Sequence, residues 1–117
     1  MQFVDQMRAL IQQSINEDPW TCTVYREPAE GGTVPTTFSF TGKIFPVAHR
    51  TMAITRGSTL EAIARADWGM IAPYDTQVLR GNDRVKCVQD TITRWFVLLW
   101  CNRYPTKLES WIEEIQG

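Results

Sequence analysis

Apolar positions near the start of the chain recur at helical spacing. Phe3, Val4, Met7, Leu10, Ile11, Ser14 and Ile15 gather on one side, with Gln2, Asp5, Gln6, Arg8, Gln12 and Gln13 on the other, the pattern of an amphipathic helix. Pro19 disfavours helix in the residue before it, so the spacing predicts an end near Asn16 to Asp18. The apolar face of this helix must cover either the domain's own sheet or a neighbouring subunit.

From Trp20 the period drops to two. Trp20, Cys22 and Val24 alternate with Thr21, Thr23 and Tyr25 up to Pro28, and Phe38, Phe40, Gly42 and Ile44 alternate with Ser39, Thr41 and Lys43 up to Pro46. The two runs predict strands joined as a hairpin through a turn at Glu30-Gly31-Gly32-Thr33. Residues 48–67 follow as a long irregular loop. Within it, Ser58 and Glu61 have the spacing of a capping box, and Leu60, Ile63 and Ala64 line one side of a short helix. Connections of this length tend to be functional.

The stretch from Trp68 to Cys101 organises the rest. Leu79-Arg80-Gly81-Asn82-Asp83 is a turn built of residues that tolerate positive φ. Arg84 to Val88 alternates polar and apolar, as a half-buried strand does. Gln89-Asp90 predicts a tight joint into a second strand through Thr91, Ile92 and Thr93 to the unbroken apolar run Trp95–Trp100. That run reads as a central strand, buried on both faces and paired on both edges. After Tyr104-Pro105, the spacing of Leu108, Trp111, Ile112 and Ile115 predicts a short helix over 106–116 with Glu109, Glu113 and Glu114 outside; an edge strand is the alternative. Hairpin-linked antiparallel strands with this much inward apolar area curl into a small barrel or sandwich. The expected fold is mainly β: one domain, a small antiparallel β-barrel over 20–101 with an N-terminal α-helix over 1–18 and a long inter-strand loop.

Composition narrows the function classes. A formal net charge of −1 over 117 residues gives no bulk signal for nucleic acid or anionic membrane. Cys22, Cys87 and Cys101 are widely spaced, and His49 is the single histidine. No structural zinc set can be read from them, and the cysteines read as small core residues of a reducing compartment. Thr41-Gly42-Lys43 lacks the upstream glycine and the Ser/Thr of a phosphate loop, and Gly57-Ser58 lacks the nucleophile-elbow frame. The expectation is of no enzyme, cofactor or metal. The longest apolar run, six residues, is far short of a membrane span. From Gly31 to Leu60 no acidic residue occurs, and the loop carries Arg50, Arg56 and Arg65. A competing expectation is a single-strand nucleic-acid-binding barrel with Phe38, Phe40 and Trp95 as stacking platforms.

The layout of an amphipathic helix, an early hairpin, an irregular loop, Ile71-Ala72-Pro73-Tyr74-Asp75, the turn Gly81-Asn82-Asp83-Arg84-Val85 and the strand Arg94–Trp100 resembles the head-closure (stopper, or head–tail connector) proteins of long-tailed bacteriophages. Asn82 separates the Gly and Asp that those proteins place together, and the helix-like C-terminus departs from the strand in which they often end. The resemblance implies a small barrel that assembles with copies of itself, six- or twelve-fold, into a ring at the virion neck after synthesis in the bacterial cytoplasm. It implies contacts with a portal or adaptor protein, with a tail terminator or tail tube protein, and transiently with genomic DNA, and none with membrane. A tail terminator or completion protein of the same virion is the near alternative. On this reading Arg50, Arg56 and Arg65 form a channel or docking loop, and Phe3, Met7 and Trp111 are candidate subunit-interface residues.

Overall fold

The computed structural model describes residues 3–27, 36–47 and 66–116. Helix α1 spans Phe3–Glu17, with Asp5 in the first turn, where a carboxylate favours the helix dipole. It ends where Pro19 requires; the Asp18 N–H donates to the Ile15 carbonyl at 3.1 Å. Six strands follow: β1 Trp20–Arg26, β2 Thr36–Pro46, β3 Trp68–Ala72, β4 Arg84–Gln89, β5 Ile92–Arg103 and β6 Leu108–Ile115. They close into an antiparallel barrel in the order β1-β2-β3-β6-β5-β4.

Closure depends on long strands that change partners. Thr36 to Gly42 of β2 pairs with β1, and Lys43 to Pro46 pairs with β3. Gly42 sits at the changeover, and a β-carbon there would lie 2.8 Å from the backbone oxygen of Ile71. Only glycine lets the two strands approach at this corner. Across the β3 pairing, Phe45 lays its ring over Gly69, where a β-carbon would meet ring atoms at 2.4 Å.

Alternation decides the interior. Val24, Met70, Val85, Phe96, Leu108 and Ile112 project inward and are completely or almost completely buried, with Phe38, Phe40, Trp68 and Cys101 packed against them. Side chains fill a barrel of this size. The run Trp95–Trp100 is the long strand expected, paired on both edges, but it is not buried on both faces. Phe96 and Leu98 are interior, whereas Trp95, Val97, Leu99 and Trp100 are half-buried outside. A bulge between Leu98 and Trp100 puts Leu99 and Trp100 together outside before Cys101 turns back in. The β4–β5 joint lies one residue later than expected. Gln89 pairs with Ile92, so Asp90 and Thr91 make the turn, with Asp90 at φ 52°.

The expected C-terminal helix is a strand, and it is not an edge. β6 pairs with β3 on one side and β5 on the other. Leu108 and Ile112 are four residues apart, which is in phase with both a helix and a strand, so local spacing cannot separate them. The neighbours do: β3 and β5 would each present an unpaired backbone edge, and one strand between them satisfies both. β3 itself is a strand that periodicity does not announce, because its five residues are too short to show alternation.

α1 packs along the outside of the barrel. Ile15 is fully buried, Lys43 Nζ of β2 donates to Ser14 Oγ at 3.2 Å, and Arg8 Nε donates to the Pro105 carbonyl at 2.8 Å. Gln89 Nε2 reaches Asp18 Oδ1 at 2.6 Å and the Pro19 carbonyl at 3.1 Å, tying the helix exit to the β4–β5 hairpin.

Candidate functional site

The three loop arginines, Arg50, Arg56 and Arg65, lie outside the described residues. The loop's two roots are held together. The Val47 N–H donates to the Asp67 carbonyl at 2.9 Å, and the Asp67 N–H donates to the Ile112 carbonyl at 3.2 Å. The segment therefore leaves and re-enters the barrel at one point, where β2 meets β3.

Of the candidate subunit contacts, Phe3 and Met7 share a stripe of α1 with Leu10 at i, i+4 and i+7, beside the residues that face the barrel. Phe3 is 73% and Leu10 58% exposed, and Met7 is half-buried. Trp111 stands apart from them on the outer side of β6, paired with Trp100 of β5 and with Gly69 of β3, and is half-buried. The helix thus divides its apolar residues: Ile15 is spent on its own barrel, and Phe3 and Leu10 are not. Between α1 and the segment after β3, Arg8 stacks on the Tyr74 ring at 3.6 Å and lines a cleft together with Ile11, Gln12 and Thr106. This seam holds the helix in place.

The Gly81-Asn82-Asp83 turn proves to be a structural lock. Asn82 takes φ 73°, which asparagine tolerates better than most side chains. Asp83 is only 3% exposed. Its carboxylate accepts Arg26 Nη2 at 2.8 Å, Arg26 Nε at 3.1 and 3.3 Å, and the Arg80 N–H at 2.8 Å. The hydrogen bond from Arg26 to Asp83 raises the guanidinium's pKa further above its ordinary value. A buried charge needs this pairing. At the opposite mouth, Arg94 stacks on Trp68 at 4.8 Å and pairs with Glu114 at 2.8 Å.

The aromatic platforms separate. Phe38 and Phe40 lean on the core, so their rings are interior packing. Trp95 faces outward, as expected of a platform, and forms a group that sequence reasoning missed. Tyr25 of β1 lies 5.5 Å from it between ring centroids, and Arg84 and Lys86 of β4 stand over it at 5.3 and 5.8 Å. The polar-apolar alternation of Arg84-Val85-Lys86 does signal that both cations face one way. Only the register Thr23↔Lys86↔Trp95 brings them to one ring. Among the described residues no group of three or more His, Cys, Asp or Glu side chains could hold a metal ion.

No family model, curated protein or solved structure matches this chain.

Proposed function

We propose that this protein is a structural subunit of a bacteriophage head–tail junction, assembling with copies of itself into a ring that retains packaged DNA and offers a surface to the tail. The observation that carries the reading is the Phe3–Met7–Leu10 stripe, whose Phe3 and Leu10 are exposed among the described residues on a helix that already packs against a filled barrel. Exposed apolar stripes of this kind mark protein–protein contacts. Two further features support it. The fold is the small barrel with an N-terminal helix that the resemblance implies, and the chain's last element is a strand, which removes the C-terminal departure from those proteins. The long segment rooted at Val47 and Asp67 then serves as the docking or channel arm, and the ring contact is head-to-tail, closed by rotation.

The test is assembly. The full chain, purified and mixed with portal-bearing heads, is expected to form rings visible by electron microscopy and to close the heads against DNA loss. Phe3→Asp with Leu10→Asp is expected to abolish rings while leaving the monomer's unfolding free energy within the small range of surface changes, about ±0.5 kcal/mol. A chain that stays monomeric at all concentrations and leaves heads open would overturn the reading.

A further inference from the structure

The outer face of four adjacent strands, β2-β1-β4-β5, carries no carboxylate along its ladder positions. In the three rows that pair across all four strands the outward residues are Thr37, Ser39 and Thr41 on β2, Thr21, Thr23 and Tyr25 on β1, Arg84, Lys86 and Val88 on β4, and Thr93, Trp95 and Val97 on β5. At its centre the Tyr25 and Trp95 rings are in contact, and both cations are held within 6 Å of the Trp95 ring. Hydroxyl side chains surround them. The acid-free span is bordered at β6, where Glu113 stands opposite Val97, and at the Thr21–Thr41–Val88 end, where Glu17, Asp18 and Asp90 line the adjoining surface. In a chain of net charge −1 this is a concentrated patch, and its position follows from the barrel's register.

From this arrangement we propose that the Tyr25–Trp95 face binds single-stranded nucleic acid, independently of the virion reading. Each component matches one part of a nucleotide. An aromatic ring stacks a base with little regard to sequence, Arg84 and Lys86 neutralise phosphates, and the flanking Thr and Ser hydroxyls donate to phosphate or sugar oxygens. Arg84, exposed on the surface, moves from the ring to the phosphate when a base takes its place. An acidic protein surface fits less well. Protein interfaces have an apolar centre and are depleted in Lys and Ser, and within these three rows the aliphatic residues are Val88 and Val97, with Leu99 and Trp100 lying beyond them on β5. A duplex fits less well too, because its bases are already stacked on each other and cannot reach the rings.

The experiment is fluorescence anisotropy of the full chain with labelled oligothymidylate at low salt, beside a duplex and a polyglutamate of similar length. Oligothymidylate is expected to bind more tightly than either. With two phosphates neutralised, the slope of log K against log salt is expected near about −1.4. Arg84→Glu with Lys86→Glu is expected to weaken binding at least ~10-fold, and Trp95→Ala about 10-fold or more, with Trp95→Phe retaining most of it. Circular dichroism checks that each variant is folded. Lys107→Glu, at the turn into β6, is expected to change little. The proposal fails if oligothymidylate does not bind, or if charge reversal at Arg84 and Lys86 leaves binding intact. It fails equally if Lys107→Glu weakens binding as much as they do. Equal binding of the duplex would show charge attraction without stacking, and equal binding of polyglutamate would assign the face to an acidic protein partner; either overturns it.

Discussion

Arg26 and Asp83, 57 residues apart, continue the β1–β4 ladder through their side chains. The backbone pairing ends at Tyr25↔Arg84, and the next pair is a two-pronged ion pair closed at 2.8 Å. Because Asp83 also accepts the Arg80 N–H, one carboxylate fixes both the end of β1 and the turn into β4. The Gly-Asn-Asp segment is therefore a closure device of the barrel.

Removing one member of this pair strands a buried charge. Arg26→Met is expected to cost about 3–5 kcal/mol in urea unfolding, and Arg26→Met with Asp83→Asn to cost less than the single change, because the neutral amide still accepts from Arg80 and leaves no bare charge. A double variant less stable than Arg26→Met would show that the pair acts by more than mutual neutralisation.

Inside and outside of β5 should respond differently. Phe96→Ala is expected to cost about 3–5 kcal/mol and Leu98→Ala about 2–5 kcal/mol, as in other filled cores. Trp95→Ala, on the half-buried outer side, is expected to cost clearly less than Phe96→Ala despite the larger ring. Denaturant midpoints of the three variants decide, and equal losses at Trp95 and Phe96 would mean that the outer side is as tightly packed as the core.

The two strand glycines make a second comparison. Gly42→Ala presses against backbone, which cannot yield, whereas Gly69→Ala presses against the Phe45 ring, which can swing toward solvent. Overpacking typically costs about 1–3 kcal/mol, and Gly42→Ala is expected at or above the top of that range, Gly69→Ala below it. Melting temperatures in the reverse order would contradict the corner role of Gly42.

Cys22 and Cys87 are directly paired across β1 and β4, both fully buried, with Sγ atoms 3.6 Å apart. The hydrogen bond to Cys22, together with burial, raises the Cys87 pKa far above the ordinary thiol value. Above about pH 8.5 the unfolded chain releases this proton and the folded chain keeps it, so the unfolded state binds fewer protons and stability falls as pH rises. Below that pH the contribution is fully present. Cys87→Ala is expected to flatten the alkaline decline in unfolding free energy by up to about 1.4 kcal/mol per pH unit. An unchanged slope would place the Cys87 thiol in contact with solvent.

Local pattern determined a good deal of this molecule: α1 and its end at Pro19, the β1–β2 hairpin, the alternating β4, the length of β5 and the mainly β, barrel-forming class. Each depends on a period of 2 or 3.6 sustained long enough to be unambiguous, or on proline and glycine chemistry that acts within a few residues. Tertiary structure decided the rest. β6 is a strand because β3 and β5 both needed a partner, and Leu108 and Ile112 satisfied either period. Phe38 and Trp95 look alike as aromatics on strands, yet strand pairing sets Phe38 in phase with inward Val24 and Trp95 in phase with outward Lys86. The meeting of Tyr25, Arg84, Lys86 and Trp95 follows from cross-strand register, a relation among residues up to 70 positions apart. The short-range preferences that write a sequence pattern cannot encode it, because register is set by closure of the whole sheet.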